Sequence, residues 1–379
     1  MRICIVYDCI YPHTVGGGER WYRNVAQRLA DDGHDITYLT MRHWDAGQEP
    51  DIPGVRVVAI APRMPLYAGD RRRILPPLVF GSGVLWHLLR YGRRYEVVHT
   101  ASFPYFSLLA AALAQRPAGF GLYADWHELW TRRYWGEYLG PLAGRVGWQV
   151  QRLCLRVAQR AFCFSKLVEE RLLAEGVHGE VTLLEGQFEG TVAEAPLPAE
   201  PIVVFAGRHI PEKNPVAVVH AIAKARETIP ELRGAIYGEG PERPQVLAAI
   251  ADQGLEGVVD APGFVDEAVI EDALPRALCL LLPSRREGYG LVVVETLSRG
   301  TPVVLVRGED NASTELIAEG ENGFIAGDAS AASLAGAIVE VRDGGASLRE
   351  STLAWFARNA GRLSLDASLA TVAKAYEEG

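Results

Sequence analysis

The chain has 379 residues, 49% of them hydrophobic and 22% charged, with a formal net charge of −9. That is the composition of an ordinary globular protein long enough for two domains, and its acidic balance, with no recognition module, speaks against a nucleic-acid role. The charge is uneven: residues 1–190 carry 22 Lys+Arg against 19 Asp+Glu, and residues 191–379 carry 16 against 28. Five scattered cysteines, Cys4, Cys9, Cys154, Cys163 and Cys279, fit buried thiols in a reducing compartment rather than metal-type pairs.

The N-terminal run Ile3–Tyr7 reads as a first strand, too short in apolar length for a signal peptide. A loop follows, then a helix from about Gly18 to Asp32, closed by Gly33, and a strand at Asp35–Thr40. Val55–Ala61, Glu96–Thr100, Gly119–Ala124 and Ala161–Ser165 continue as strands with helical pattern between them. The uncharged stretches Ile74–Leu89 and Val97–Gln115 are not expected to span a membrane. Pro76-Pro77 and Gly81-Ser82-Gly83 break the first; His99, Ser102 and Pro104 interrupt the second.

The second half restarts the scheme. Pro201–Ala206 reads as a strand, Pro215–Thr228 as a helix, Arg233–Tyr237 as a strand and Pro241–Gln253 as a helix. Val258–Ala261, Ala277–Leu282 and Pro302–Val306 are further strands. Alternating β and α elements predict parallel sheets covered on both faces, and two such series predict two doubly wound α/β domains. The proline-rich stretch 191–201 is the expected linker between residues 1–190 and 202–356. The helical pattern at the C-terminus, about 357–379, is expected to pack back on the first domain.

In doubly wound sheets ligands bind beyond the carboxyl ends of the strands, and unusual loops fall there. Gly16-Gly17-Gly18-Glu19-Arg20 opens the first helix, where glycines permit close backbone approach and the helix start favours an anion; the spacing is not the dinucleotide fingerprint. Gly207-Arg208-His209-Ile210-Pro211-Glu212-Lys213-Asn214 places a planar cation and a compact one after a strand, a clamp suited to two linked phosphates. Gly238-Glu239-Gly240-Pro241 is a tight turn into a helix. The backbone of Pro262-Gly263-Phe264-Val265 has the character to meet a flat ring. In Asp125-Trp126-His127-Glu128, His127 is either a polar contact in a sugar pocket or a structural histidine in an aromatic cluster. Last, Glu287-Gly288-Tyr289-Gly290-Leu291 leads into an apolar helix that contains Glu295. Two carboxylates eight residues apart around a glycine turn suit a ligand with both sugar hydroxyls and phosphate.

In order and spacing these segments resemble the retaining glycosyltransferases of family 4, of GT-B fold: Gly17-Gly18-Glu19-Arg20, Gly33-His34-Asp35-Ile36-Thr37, Gly207-Arg208 with Lys213, Gly238-Glu239-Gly240-Pro241, and Glu287–Glu295 as the E-x7-E motif ahead of Gly300-Thr301-Pro302-Val303-Val304. The resemblance implies two Rossmann-like domains facing across a cleft and a nucleotide-sugar donor held mostly by the second. It implies Arg208 and Lys213 on the diphosphate, Glu295 on the ribose, Glu287 on the donor sugar, and His127 near the reacting face. Gly17, Gly18, Gly207, Gly238, Phe264, Gly288, Tyr289, Gly290 and Leu291 complete the expected donor contacts. Tyr289 stands where the family often has Phe. Gly186-Gln187-Phe188 replaces its usual Gly-Val-Asp segment.

The expected reaction is transfer of a hexose from a UDP- or GDP-sugar to an acceptor hydroxyl with retention. The acceptor is a lipid-linked or cell-surface glycan precursor, or a small soluble molecule. No Asp-x-Asp pair occurs in the chain, so no metal and no cofactor are expected. A sugar-nucleotide epimerase is the alternative, and release of altered sugar without acceptor would reveal it. Residues 63–94 set seven arginines against Asp70 among many apolar residues, and 131–160 repeat the bias. Either these are core helices with solvated Arg faces, or they touch an anionic membrane. The expected location is cytoplasmic, either free or, on the second of these readings, peripheral at the inner membrane face.

Overall fold

The computed structural model describes residues 1–68 and 71–378, with no side-chain description for 67–72. Its contacts divide the chain into two units, Met1–Gly186 rejoined by the chain from Asp366, and Gln187–Leu365.

In the first unit the strands are β1 (Arg2–Val6), β2 (Asp35–Met41), β3 (Val55–Ala61), β4 (Val97–Ala101), β5 (Gly121–Trp126), β6 (Arg160–Cys163) and β7 (Val181–Leu183). They form one parallel sheet in the order β3-β2-β1-β4-β5-β6-β7. β4 is buried along its whole length, as a strand covered on both faces must be. The helices are α1 (Gly17–Asp31), α2 (Leu75–Tyr91), α3 (Phe106–Ala118), α4 (Arg132–Leu139), α5 (Pro141–Leu155) and α6 (Lys166–Ala174). In α1 the residues Trp21, Tyr22, Val25, Ala26 and Leu29 form the buried stripe, the helical period visible in the sequence.

The stretch expected to be broken at Pro76-Pro77 and Gly81-Ser82-Gly83 is one helix, α2. Its prolines occupy the first turn, where a missing N–H costs nothing. Its glycines are contact points: a Cβ on Gly81 would lie 2.7 Å from Phe106 Cβ in α3, and one on Gly83 2.4 Å from the Ile60 carbonyl oxygen in β3. No described helix is long and apolar enough to cross a membrane.

The second unit repeats the plan with β8 (Ile202–Ala206), β9 (Arg233–Tyr237), β10 (Val259–Gly263), β11 (Cys279–Leu282), β12 (Val303–Val306) and β13 (Gly323–Ala326) in the order β10-β9-β8-β11-β12-β13, again parallel. Its helices are α7 (Pro215–Ala225), α8 (Arg243–Asp252), α9 (Glu267–Ala273), α10 (Leu291–Leu297) and α11 (Ala331–Leu363), the last interrupted at Gly345 with φ 52°. α12 (Leu365–Glu377) follows. The edge strands β7 and β13 escape a sequence reading because, unlike the comparably short β6, β11 and β12, they are only partly buried and sit in shorter apolar runs.

Residues 191–201 lie against the second unit: the Ala193 amide donates to the Ser298 carbonyl (3.0 Å) and the Glu200 amide to that of Arg276 (2.7 Å). α12 is gripped by three strands of the first unit. The Tyr123 hydroxyl (2.8 Å) and an Arg160 guanidinium nitrogen (2.9 Å) donate to the Ala375 carbonyl, and Tyr376 hydrogen-bonds His99. All five cysteines are buried thiols.

Candidate active site

In the second unit the loops leaving β8, β9, β10 and β11 interlock. The Gly207 amide donates to the Tyr237 carbonyl (3.1 Å), the His209 amide to that of Glu239 (2.8 Å), and the Gly238 amide to that of Gly263 (2.9 Å). Gly238 has φ 127°, and a Cβ there would lie 1.9 Å from the Gly207 carbonyl oxygen. Gly240 has φ 153°, with the His209 carbonyl oxygen 2.3 Å from such a Cβ. Both glycines are thus demanded by left-handed backbone and by close approach. Glu239 ion-pairs with Arg243 (3.3 Å), whose guanidinium also donates to the Ala261 carbonyl (3.0 Å). Inside this lattice His209 is fully buried, and burial holds its imidazole below the ordinary range against the pull of Glu239. Phe264, at the end of β10, is 67% exposed.

The expected cations are treated differently. Arg208 is exposed, with no hydrogen bond or ion pair to its guanidinium among the described residues. Lys213 ion-pairs with Glu287, the two side chains 19% and 10% exposed. The same Glu287 oxygen accepts from the Ser284 hydroxyl (3.2 Å). Lys213 is aimed by a turn in which its amide donates to the Ile210 carbonyl (2.9 Å), and Asn214, at φ 51°, turns the chain into α7. Glu287 is held by a short parallel ladder that pairs Arg286 with Asp310 and Glu287 with Asn311. Asn311 is itself buried, donating to the carbonyls of Ser284 (3.1 Å) and Val306 (2.9 Å). The Arg285 amide donates to the Glu212 carbonyl (2.8 Å), which ties the loop of Lys213 to the loop of Glu287.

Past Glu287 the chain makes the expected glycine turn. Gly290, at φ 98°, caps α10 against Ser313, whose Cβ would be 2.7 Å from an added Cβ. The turn leaves the first amides of α10 without intrahelical partners. Gly288 and Tyr289 are partly exposed within the turn, Leu291 opens the helix, and Glu295 sits partly exposed one turn on.

In the first unit Gly17 begins α1, and nothing lies within 4 Å of a Cβ placed on it. Gly18 is constrained, since its Cβ would lie 2.6 Å from the Tyr7 hydroxyl oxygen. His127 follows β5 with its ring stacked on Phe164 (centroids 4.6 Å, interplanar 8°). Its Nε2 is buried and makes no hydrogen bond among the described residues. Burial lowers its pKa, opposed by the carboxylates of Asp125 and Glu128, so the imidazole is neutral near pH 7.

Behind it lies a cluster whose members the sequence does not connect. Asp125 and His99 are fully buried, with His99 Nε2 2.8 Å from Asp125 Oδ1. The Trp21 indole donates to Asp125 Oδ2 (2.7 Å), and Tyr376 closes the chain at His99 Nδ1. Burial pushes the Asp125 carboxyl up, but His99, His127 and Tyr22 outweigh it and hold it below its usual value. Trp21 and Asp125 lie 104 positions apart, and His99 and Tyr376 lie 277 apart, so no local motif marks them. Ser284 left only a weak signal, its place three residues before Glu287.

Two family models match the chain, "Glycosyl transferase 4-like domain" over residues 16–185 and "Glycosyl transferases group 1" over 192–352. The chain belongs to the group 1 glycosyl transferases. This transferase is 29% identical over 217 residues to the alpha-D-kanosaminyltransferase of Streptomyces kanamyceticus, covering 52% of its own length and 56% of the relative's. It is 25% identical to a glycogen synthase of Mycobacterium tuberculosis over 99% of its length and 93% of the relative's. Its fold matches sucrose-phosphate synthase from Thermosynechococcus elongatus (TM-score 0.80, 20% identity, 100% and 98% of the two chains). It also matches Anabaena HepE in complex with UDP and glucose (TM-score 0.72, 17% identity, 100% and 99%). The two parallel-sheet units of this group 1 transferase are those of a GT-B glycosyltransferase.

Proposed function

We propose that the chain moves a hexose from a UDP- or GDP-sugar to an acceptor hydroxyl with retention of configuration, without a metal ion. The observation that carries this reading is the meeting of Lys213, Glu287 and Ser284 at interlocked strand ends, with Arg208 exposed on the loop of Lys213, in a group 1 glycosyl transferase. A structural neighbour, Anabaena HepE, has been solved in complex with UDP-glucose, which supports a donor of this kind.

In this reading the donor diphosphate takes Lys213 away from Glu287, and Arg208 supplies the second cation. Glu287, released, accepts hydroxyls of the donor sugar, and Glu295 those of the ribose. The backbone from Gly288 to Leu291 borders sugar and phosphate, with Gly207, Gly238 and Phe264 on the nucleotide side. For the first unit, Gly17, Gly18 and the neutral His127 remain the donor contacts that the family resemblance implies. As the anomeric bond breaks, positive charge grows on the sugar and negative charge on the leaving diphosphate, and preorganised cations stabilise the latter. The acceptor hydroxyl attacks on the face the leaving phosphate departs from and gives its proton to that phosphate. The acceptor belongs to a lipid-linked or cell-surface glycan precursor, and peripheral contact of 63–94 and 131–160 with an anionic membrane at the inner, cytoplasmic face accords with it.

Calorimetry with UDP-, GDP- and ADP-sugars tests the donor. The native chain should bind one base class, and Lys213→Ala should lower turnover by on the order of 100-fold with an unchanged circular dichroism spectrum. Near-normal turnover in that variant would remove Lys213 from its role.

A further inference from the structure

In the first unit, strand order dictates which helices share a side. The connections β3 to β4, β4 to β5 and β5 to β6 all step the same way across the sheet. Right-handed crossovers therefore put α2, α3 and α5 on one face. Their inner sides enter a common core, through Phe80, Val84 and Leu88 of α2, Leu108 and Ala111 of α3, and Cys154 and Leu155 of α5.

Their outer sides are unlike the rest of the molecule. On α2, Leu75, Leu78, Trp86 and Leu89 are exposed at helical spacing, Trp86 to 64%. α3 adds Leu113 at 68%, and α5 adds Leu142 at 81% and Val146 at 64%. Arginines are interleaved with them. α2 and its closing turn Gly92–Arg94, α3, α4 and α5 together hold eight arginines, no lysine and one acid, Glu137. That acid is already ion-paired with Arg133 (2.8 Å). Arg132 and Arg152 lie over the Trp148 ring at 5.1 and 5.0 Å. In a chain of net charge −9, these helices and their closing turn are one-sidedly basic.

We infer that the α2–α3–α5 face is a docking surface for an anionic lipid bilayer, lying in the plane of the interface with Leu75, Trp86, Leu89, Leu113, Leu142 and Val146 entering the headgroup boundary. Charge complementarity identifies the occupant. Arginines spread through an apolar surface bind phosphate headgroups while their stems cover hydrocarbon, and tryptophan favours that boundary. The inference extends past the two stretches 63–94 and 131–160 to α3, which folding places between them. A lipid-borne acceptor for this face rests on the transfer reading above; the docking surface itself does not.

Flotation of the full chain with vesicles of phosphatidylcholine alone, and of phosphatidylcholine mixed with phosphatidylglycerol, tests it without any donor. The native chain should float with the anionic vesicles and not with the neutral ones. Arg90→Gln/Arg93→Gln/Arg94→Gln should weaken partitioning by on the order of 100-fold, since each arginine near an anionic surface is worth about fivefold. Trp86→Ser/Leu89→Ser should weaken it by about tenfold or more. All these side chains are exposed, so circular dichroism and nucleotide-sugar calorimetry should stay unchanged. Absence of flotation, equal flotation with neutral vesicles, or flotation indifferent to both variants would overturn the inference. So would self-association, seen by sedimentation, that Trp86→Ser/Leu89→Ser abolishes. Failure of the donor to bind would strike the transfer reading and leave this one standing.

Discussion

At the scale of single residues, the Lys213–Glu287 pair is the most informative contact. Without ligand, each charge satisfies the other while Ser284 holds the shared oxygen. In the transfer reading proposed above, a nucleoside diphosphate alone breaks that pair and leaves Glu287 without the ammonium, whereas a nucleotide-sugar supplies hydroxyls in compensation. On that reading the pair discriminates the whole donor from the product left after transfer. Glu287→Gln removes the competitor for Lys213, so it should bind UDP or GDP alone about tenfold more tightly than the native chain and bind the matching nucleotide-sugar more weakly. Calorimetry on both ligands reads the two signs. Loss of affinity for both would make Glu287 a simple contact. Both partners were legible as candidates because charged residues beside glycine turns at strand ends stand out. Their mutual pairing was not, because 74 positions separate them.

At the scale of elements, glycine positions record where backbones meet. Gly238 was legible as a tight turn into a helix, but the reason for it is tertiary, the Gly207 carbonyl of a neighbouring loop. Gly238→Ala introduces an L side chain at φ 127° with an oxygen 1.9 Å away. It should cost about 1–3 kcal/mol or more and part the loops that carry Arg208 and Lys213. A lowered melting temperature together with weaker donor binding is expected, and an unchanged pair of values would show that the loops are not interdependent. α2 teaches the converse. Its prolines and glycines read as interruptions, yet the prolines fall in the first turn and the glycines face α3 and β3, so the helix runs through.

At the scale of the whole molecule, each unit has its own core, and buried neutral histidines occur in both. Burial holds His87 at about 4, with Arg56 adding to the effect, and lowers His127 and His209. The ordinary value is 6.5. In the unfolded chain these groups take up protons first, so below about 6.5 the unfolded state binds more protons than the native one and stability falls as pH drops toward 4. Differential scanning calorimetry between about pH 7.5 and 5 should show a falling melting temperature, with His87→Phe flattening the slope. A flat profile in the native chain would mean these imidazoles are not held neutral.

The alternation of short buried strands with amphipathic helices, and hence two parallel sheets, was determined by the sequence itself. Period and strand burial are local properties, and residues a few positions apart carry them. The same holds for the loops at the strand ends, whose glycines and charges mark them individually. Tertiary structure alone decided that Lys213 meets Glu287, that Asp125 gathers Trp21 and His99 while His99 meets Tyr376 from the far end of the chain, and that three helices bring their arginines and leucines to one face. Those are contacts between distant positions, and only the packing of whole elements selects which pair is made.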